Sequence, residues 1–208
     1  SMNASNCIHC GQCVRQCPTA ALTDKNNILH VQKNLVAKNK KTTLLYDPLL
    51  PAVFRYYFGK KIKNAEETLH GIVNAFGFDE AKNLGFATDL YINLVAREFA
   101  LQIQKNDKPL LISSFCPAAV KFIEQDFHSL LPFLSQILSP AQLAASFLRE
   151  ANTAQGIQDA DDFIVTVDPC TARKFEIKLE HNVERQLTDT SITFREFFQL
   201  IRIYGIQH

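Results

Sequence analysis

The sequence has no excess of charge of either sign and no long apolar run. Its 22 lysine and arginine residues balance 21 aspartate and glutamate residues, for a net charge of +1 over 208 residues. This balance gives no electrostatic basis for binding nucleic acid or a membrane surface. No apolar run reaches the roughly 18 to 20 residues that cross a bilayer, and the N-terminus lacks the charged and apolar regions of a signal peptide. We therefore expect no membrane association.

Cysteine is scarce outside the N-terminus. Only Cys116 and Cys170 lie beyond the first 17 residues. The other four of the six cysteines are Cys7, Cys10, Cys13 and Cys17. This lopsided distribution is not that of a secreted disulfide scaffold, and it favours a reduced, cytoplasmic protein.

The four N-terminal cysteines have the spacing Cys-x-x-Cys-x-x-Cys-x-x-x-Cys-Pro, between Cys7 and Pro18. Bacterial ferredoxins bind a 4Fe–4S cluster with this spacing. Thiolates at i, i+3 and i+6 in a tight loop can reach three corners of one cluster, and Gly11 lets the backbone approach it. A zinc knuckle is the weaker alternative. The pattern predicts a 4Fe–4S cluster.

A single run of this kind leaves its ligand set incomplete. In two-cluster ferredoxins the fourth cysteine of a run binds the other cluster. Cys7, Cys10 and Cys13 therefore need a fourth thiolate, and Cys17 needs a cluster to bind. Two copies of the chain could exchange Cys17, a separate iron–sulfur subunit could supply the missing groups, or a single cluster could have unusual geometry.

Beyond residue 41, short apolar runs alternate with helical patterns. The runs predicted as strands are Thr42–Tyr46, Leu110–Ser114 and Phe163–Val167. Ser139 before Pro140 with a later glutamine, and Thr193 with a later glutamate, are patterns that open helices. Strands that alternate with helices predict an α/β fold with a mostly parallel sheet flanked by helices.

Cys116 and Cys170 each follow a predicted strand and each adjoin a proline. Because the carboxyl ends of parallel strands share one edge of a sheet, the two cysteines are expected to face one cleft. A helix N-terminus at each position would favour the thiolate. The alternative is that both are small buried apolar residues.

Three segments resemble the iron-only (FeFe) hydrogenases. Ser113–Phe122 resembles their first active-site motif, and Asp168–Glu176 is similar to their second. The N-terminal cysteine run resembles the ferredoxin-type segment just before their catalytic domain. The resemblance implies the first of that domain's two lobes, with Cys116 and Cys170 as two of the four cysteines that hold the 4Fe–4S part of the H-cluster.

The same resemblance gives three candidate catalytic residues, which are Asp168, Arg173 and Glu176. Arg173 stands where the family has a lysine that hydrogen-bonds a cyanide ligand. Asp168 replaces a methionine, so it either protonates a substrate or caps the following helix.

The departures from the family pattern matter for activity. The third motif, which carries the other two ligands, is missing from these 208 residues. Phe115 replaces the thiol that donates a proton, and Val95 replaces one glutamate of the proton relay, although Glu98 and Ser135 match. With half of the ligand set, a complete H-cluster is not expected. Because each relay step also needs hydrogen-bond reach, hydrogen turnover by this chain alone is not expected.

These observations predict a homodimeric iron–sulfur redox protein with a 4Fe–4S segment (1–24), a linker containing a helix (25–41) and an α/β lobe (42–208). A second copy would bring both Cys116 and both Cys170 thiols to one interfacial cluster, and a ferredoxin would be the redox partner. One alternative is a subunit of a split hydrogenase whose partner carries the third motif. Another is a non-catalytic electron-transfer, sensing or assembly module. Whether the chain is an oxidoreductase stays open.

Overall fold

A parallel sheet forms the centre of the computed structural model, which describes residues 6–59, 62–105, 109–178 and 187–206. Its strands are β1 (Lys41–Tyr46), β2 (Glu80–Asn83), β3 (Asp162–Asp168) and β4 (Thr190–Thr193). They lie in the order β2-β1-β3-β4, and all three neighbouring pairs are parallel. The sheet confirms the predicted α/β class.

Helices connect the strands and precede the first one. Within the described residues they are α1 (Gln12–Gln16), α2 (Ile28–Ala37), α3 (Leu50–Phe58), α4 (Ala65–Phe76), α5 (Gly85–Lys105), α6 (Pro117–Asp126), α7 (Pro140–Ala154), α8 (Arg173–Glu176) and α9 (Phe194–Ile203). Short 3-10 segments cover His128–Phe133 and Asp159–Asp161. Among the described helices, none is both long and apolar enough to cross a membrane.

Apolar side chains cover both faces of the sheet. Strand side chains alternate between faces, so Leu44 and Leu45 enter different cores. The larger core joins the sheet to α2, α3, α4 and α9, and the smaller one joins it to α7. Helix α2, which lies in the predicted linker, contributes its buried Ile28, Val31 and Leu35 to the larger core.

Two of the three predicted strands are confirmed, as β1 and β3. The prediction for Leu110–Ser114 is wrong, because this segment forms only an isolated bridge between Ile112 and Leu134. It pairs with the chain after the His128–Phe133 segment and does not join the sheet. Strands β2 and β4 were not predicted; they lie at the sheet edges and carry mostly polar residues.

The two predicted N-caps differ in the structure. Thr193 forms a full capping box with Glu196, whereas the Ser139 hydroxyl is buried and has no hydrogen-bond partner among the described residues.

We expect Thr193→Ala to lower the free energy of unfolding by about 0.5–2 kcal/mol. Ser139→Ala, the matched control, should not lower it, because it removes an unsatisfied buried hydroxyl. Urea denaturation of both variants tests this, and equal losses would contradict it.

Candidate iron–sulfur site

The candidate site lies at the carboxyl edge of the sheet, between its two central strands. The chain runs outward from β1 to β2 on one side and from β3 to β4 on the other. Such a reversal point opens the crevice where parallel sheets bind ligands. Asp47 follows β1 here, and its backbone N–H donates to the Val167 carbonyl at 3.0 Å. Cys170 follows β3 at the same edge.

The structure brings Cys116 and Cys170 close enough to interact electrostatically. Cys116 is exposed and is the N-cap residue of α6, whereas Cys170 is half-buried. Burial raises the pKa of the Cys170 thiol and outweighs the Ala172 N–H, which lowers it. The charges of Asp168 and Cys116 also raise this pKa, against the opposing effect of Arg173. The expectation that this thiol favours the thiolate is therefore wrong for the bare protein. A bound metal centre would deprotonate it.

The three candidate catalytic residues form one buried ion-pair group. The Arg173 guanidinium donates from Nε to Asp168 Oδ2 at 3.2 Å and from Nη1 to Glu176 Oε2 at 3.0 Å. All three side chains are less than 9% exposed. The other Asp168 oxygen, Oδ1, accepts the Cys170 N–H at 2.8 Å. Asp168 thus stabilises the turn at Cys170 ahead of α8. It does not cap that helix, whose N-cap residue is Ala172 without a side-chain cap hydrogen bond.

The Phe115 ring packs against the same guanidinium. Its centroid lies 5.2 Å from Arg173 Cζ and 5.6 Å from the Tyr91 ring. At the position where the resemblance implies a proton-donating thiol, Phe115 therefore makes a cation–π contact. Of the predicted relay, the Ser135 hydroxyl donates to Glu98 Oε2 at 2.5 Å.

The N-terminal cysteine loop has the local chemistry that a cluster needs. The His9 N–H donates to Cys7 Sγ at 3.4 Å. A hydrogen bond from the Leu22 backbone, supported by the Thr19 hydroxyl, lowers the pKa of Cys17 to about 7. N–H groups aimed at sulfur stabilise thiolates, and the potentials of iron–sulfur clusters depend on such bonds. The donor set of soft thiolates fits a 4Fe–4S cluster.

No three His, Cys, Asp or Glu side chains in the described ranges are arranged to hold a single metal ion. A 4Fe–4S cluster uses a wider set, since each cysteine binds a different iron.

The cysteine loop is docked on the Cys170 turn. The Thr171 hydroxyl donates to the His9 carbonyl at 3.0 Å, and the His9 ring stacks on Phe175 with centroids 4.6 Å apart. Gly11 has a φ of +77°, and a Cβ at this position would lie 2.6 Å from Thr171 Oγ1. This tight contact makes the N-terminal cysteine set (Cys7, Cys10, Cys13 and Cys17) a neighbour of the second cysteine set (Cys116 and Cys170).

Charged groups hold the segment after the loop. Lys174 Nζ lies 2.8 Å from Asp24 Oδ2, and Arg195 also pairs with Asp24. Burial raises the pKa of Asp24, but hydrogen bonding and charge from Lys174 outweigh it, so the pKa is lowered. These docking residues were not predicted from the sequence. Thr171 and Phe175 do belong to the second motif, so the motif itself was the available signal.

Two known protein families match this chain. The family described as "Iron only hydrogenase large subunit, C-terminal domain" matches residues 40–208, and the "4Fe-4S binding domain" family matches residues 1–23. The chain belongs to the iron-only hydrogenase large-subunit family. It is an iron–sulfur protein with a 4Fe–4S binding domain at its N-terminus.

Two curated hydrogenases and one assembly factor are among the relatives of this family member. The NADP-reducing hydrogenase subunit HndD of Solidesulfovibrio fructosivorans is 30% identical over 96% of this chain and 36% of its own length. Iron hydrogenase 1 of Clostridium pasteurianum is 30% identical over 89% of this chain and 33% of its own length. The cytosolic Fe-S cluster assembly factor NAR1 homolog of Schizosaccharomyces japonicus is 24% identical over 99% of this chain and 44% of its own length.

A solved structure shows the same fold. A variant of [FeFe]-hydrogenase HydA1 from Chlamydomonas reinhardtii aligns with a TM-score of 0.76 at 21% identity, over 88% of this chain and 48% of that chain. The present chain thus spans less than half the length of each of these four proteins.

Proposed function

We propose that this chain is an iron–sulfur electron-transfer protein with two neighbouring cluster sites. The first consists of Cys7, Cys10 and Cys13, with Cys17 exchanged between copies. The second consists of Cys116 and Cys170 from each of two copies, which meet at a two-fold interface. Bound clusters supply reversible one-electron storage. A ferredoxin-type protein serves as the one-electron donor, and the cytosolic NAR1 relatives support a cytoplasmic location.

The observation that carries the proposal is the hydrogen bond from Thr171 to the His9 carbonyl. It joins the residue next to Cys170 to the middle of the Cys7–Cys10 loop. The bond is 3.0 Å long, and the His9–Phe175 stack supports it. The chain therefore holds its two cysteine sets in fixed proximity, which is what single-electron exchange between them requires.

The second site needs further thiolate ligands from outside this chain. Cys116 is exposed and Cys170 is half-buried, and the two supply half of the thiolates that a 4Fe–4S cluster takes. A second copy related by a two-fold axis supplies the other half from the same residues. Such an isologous arrangement is the commonest form of homodimer.

The remaining side chains at the second site position it and do not react. Asp168 and Glu176 neutralise Arg173, and Asp168 fixes the Cys170 N–H. Phe115 closes the site over the guanidinium and carries no transferable proton. We therefore assign single-electron transfer to this protein and not hydrogen turnover.

Iron content and mass in solution test this assignment. After anaerobic purification we expect a dimer with about six irons per chain, from two exchanged clusters and one shared cluster. The double variant Cys116→Ser, Cys170→Ser should hold about four irons per chain, because only the N-terminal set remains. A monomer, or the same iron content in both proteins, would refute the shared cluster.

A role in cluster assembly is the second candidate. The relative named as an assembly factor aligns over 99% of this chain, and the Cys116 thiol is exposed. If the second cluster is cargo, an apo-ferredoxin should withdraw iron and sulfide from it on mixing. If it is a resident electron carrier, the iron content should stay unchanged.

A further inference from the structure

Lys121 is a buried cation placed between the two cysteine sets. It lies on α6, five residues after Cys116, and is 8% exposed. Among the residues that the structure describes, no carboxylate lies within ion-pair distance of its ammonium group. Its Nζ instead lies 4.1 Å from the ring centroid of Phe175.

The same ring leads directly to the cysteine loop. Phe175 stacks on His9 at 4.6 Å and an interplanar angle of 18°. Lys121, Phe175 and His9 therefore form one continuous stack that ends between Cys7 and Cys10. The charges of Lys121 and Lys178 both act on His9.

A buried charge without an ionic partner is costly, and a cation–π contact compensates only part of that cost. A 4Fe–4S cluster bound by thiolates is negatively charged, and reduction adds one further negative charge. A fixed cation beside the loop consequently stabilises the reduced form more than the oxidised form. Low dielectric around a buried group makes this effect larger than that of an exposed lysine.

We propose that Lys121 raises the reduction potential of the N-terminal 4Fe–4S cluster. The residue acts through its position and exchanges neither electrons nor protons. This inference depends on the N-terminal cluster of the proposed function, whichever copy supplies its fourth thiolate, but not on the shared cluster. The role of Lys121 can therefore fail while the proposed function stands. The shared cluster can likewise fail while the role of Lys121 stands.

The test is an anaerobic potentiometric titration with dithionite as the one-electron reductant, followed by electron paramagnetic resonance. The Cys116→Ser, Cys170→Ser background removes any signal from the second site. In that background, Lys121→Met keeps most of the side-chain volume and removes the charge. At a fixed applied potential we expect an about tenfold lower ratio of reduced to oxidised cluster, which is 59 mV for a one-electron couple.

Three further variants separate charge from packing. Lys121→Arg should restore the potential, because it retains the cation over the Phe175 ring. Lys178→Met should give a smaller decrease, since Lys178 is exposed and its charge is better screened by water. Lys105→Met, at an exposed position at the end of α5, should have no effect.

Several outcomes would overturn the proposal. One is a Lys121→Met protein with full iron content and an unchanged potential. Another is a decrease that Lys121→Arg fails to reverse. A Lys121→Met protein that cannot retain its cluster would also overturn it, because Lys121 would then support the loop and not the potential.

Discussion

Replacing Arg173 by methionine is expected to lower the free energy of unfolding by about 3–5 kcal/mol, because it breaks a buried ion-pair group by removing one partner. Asp168 and Glu176 would remain buried without the guanidinium that now lies within 3.2 Å of both. Phe115 would also lose its stacking contact. Urea denaturation of the metal-free protein measures the loss without interference from cluster loss.

Two controls show whether the loss comes from unpaired charge. Arg195→Met removes an arginine whose side chain is 66% exposed, and it should cost no more than about 1 kcal/mol although Arg195 also pairs with an aspartate. Adding Asp168→Asn and Glu176→Gln to Arg173→Met should recover much of the stability, because the two buried carboxylates are then neutralised together with the guanidinium. If the triple variant is no more stable than Arg173→Met, lost packing is the cause instead.

Gly11→Ala is expected to detach the cysteine loop from the Cys170 turn. The φ of +77° costs a residue with a Cβ about 1–2 kcal/mol. The added carbon would also lie 2.6 Å from Thr171 Oγ1, so the docking hydrogen bond to His9 could not persist unchanged. We expect about five- to thirtyfold faster amide hydrogen exchange in residues 6–25 of the metal-free protein, together with reduced iron content after reconstitution.

Gly71→Ala is the matched control for this change. Gly71 is exposed in α4, has ordinary backbone angles, and has open space where a Cβ would lie. Alanine there should stabilise the protein by about 0.5–1 kcal/mol, with no change in the exchange of residues 6–25. Slow exchange of the loop in Gly11→Ala would mean that the contact with Thr171 is not what holds it.

Prediction from the sequence succeeded where a short stretch contains its own signal. β1 and β3 are central strands with buried runs, and such runs are recognisable without knowing their neighbours. β2 and β4 each have four residues, mostly polar, and depend on pairing with the centre of the sheet. Leu110–Ser114 has the apolar character of a strand but pairs elsewhere, since pairing depends on the whole chain.

In the candidate site, too, local features could be predicted from the sequence and tertiary contacts could not. The spacing from Cys7 to Cys17 determines a cluster-binding loop, because that geometry is local. The side-chain contacts of Asp168 and Ser139 depend instead on the tertiary structure. The Asp168 carboxylate accepts hydrogen bonds from the Cys170 N–H and from Arg173. The Ser139 hydroxyl is buried and has no hydrogen-bond partner among the described residues. Burial likewise raises the pKa of the Cys170 thiol, which a helix N-terminus alone would lower.

By itself, the sequence determined that this protein is an iron–sulfur member of its family, since soft ligands at fixed spacing and two motifs in order are properties of the chain. Only the tertiary structure decided that the two cysteine sets are neighbours. The Thr171–His9 bond joins residues 162 positions apart, and the stack of Lys121, Phe175 and His9 also bridges distant segments. Such contacts exist only after the sheet and its covering helices have brought those segments together.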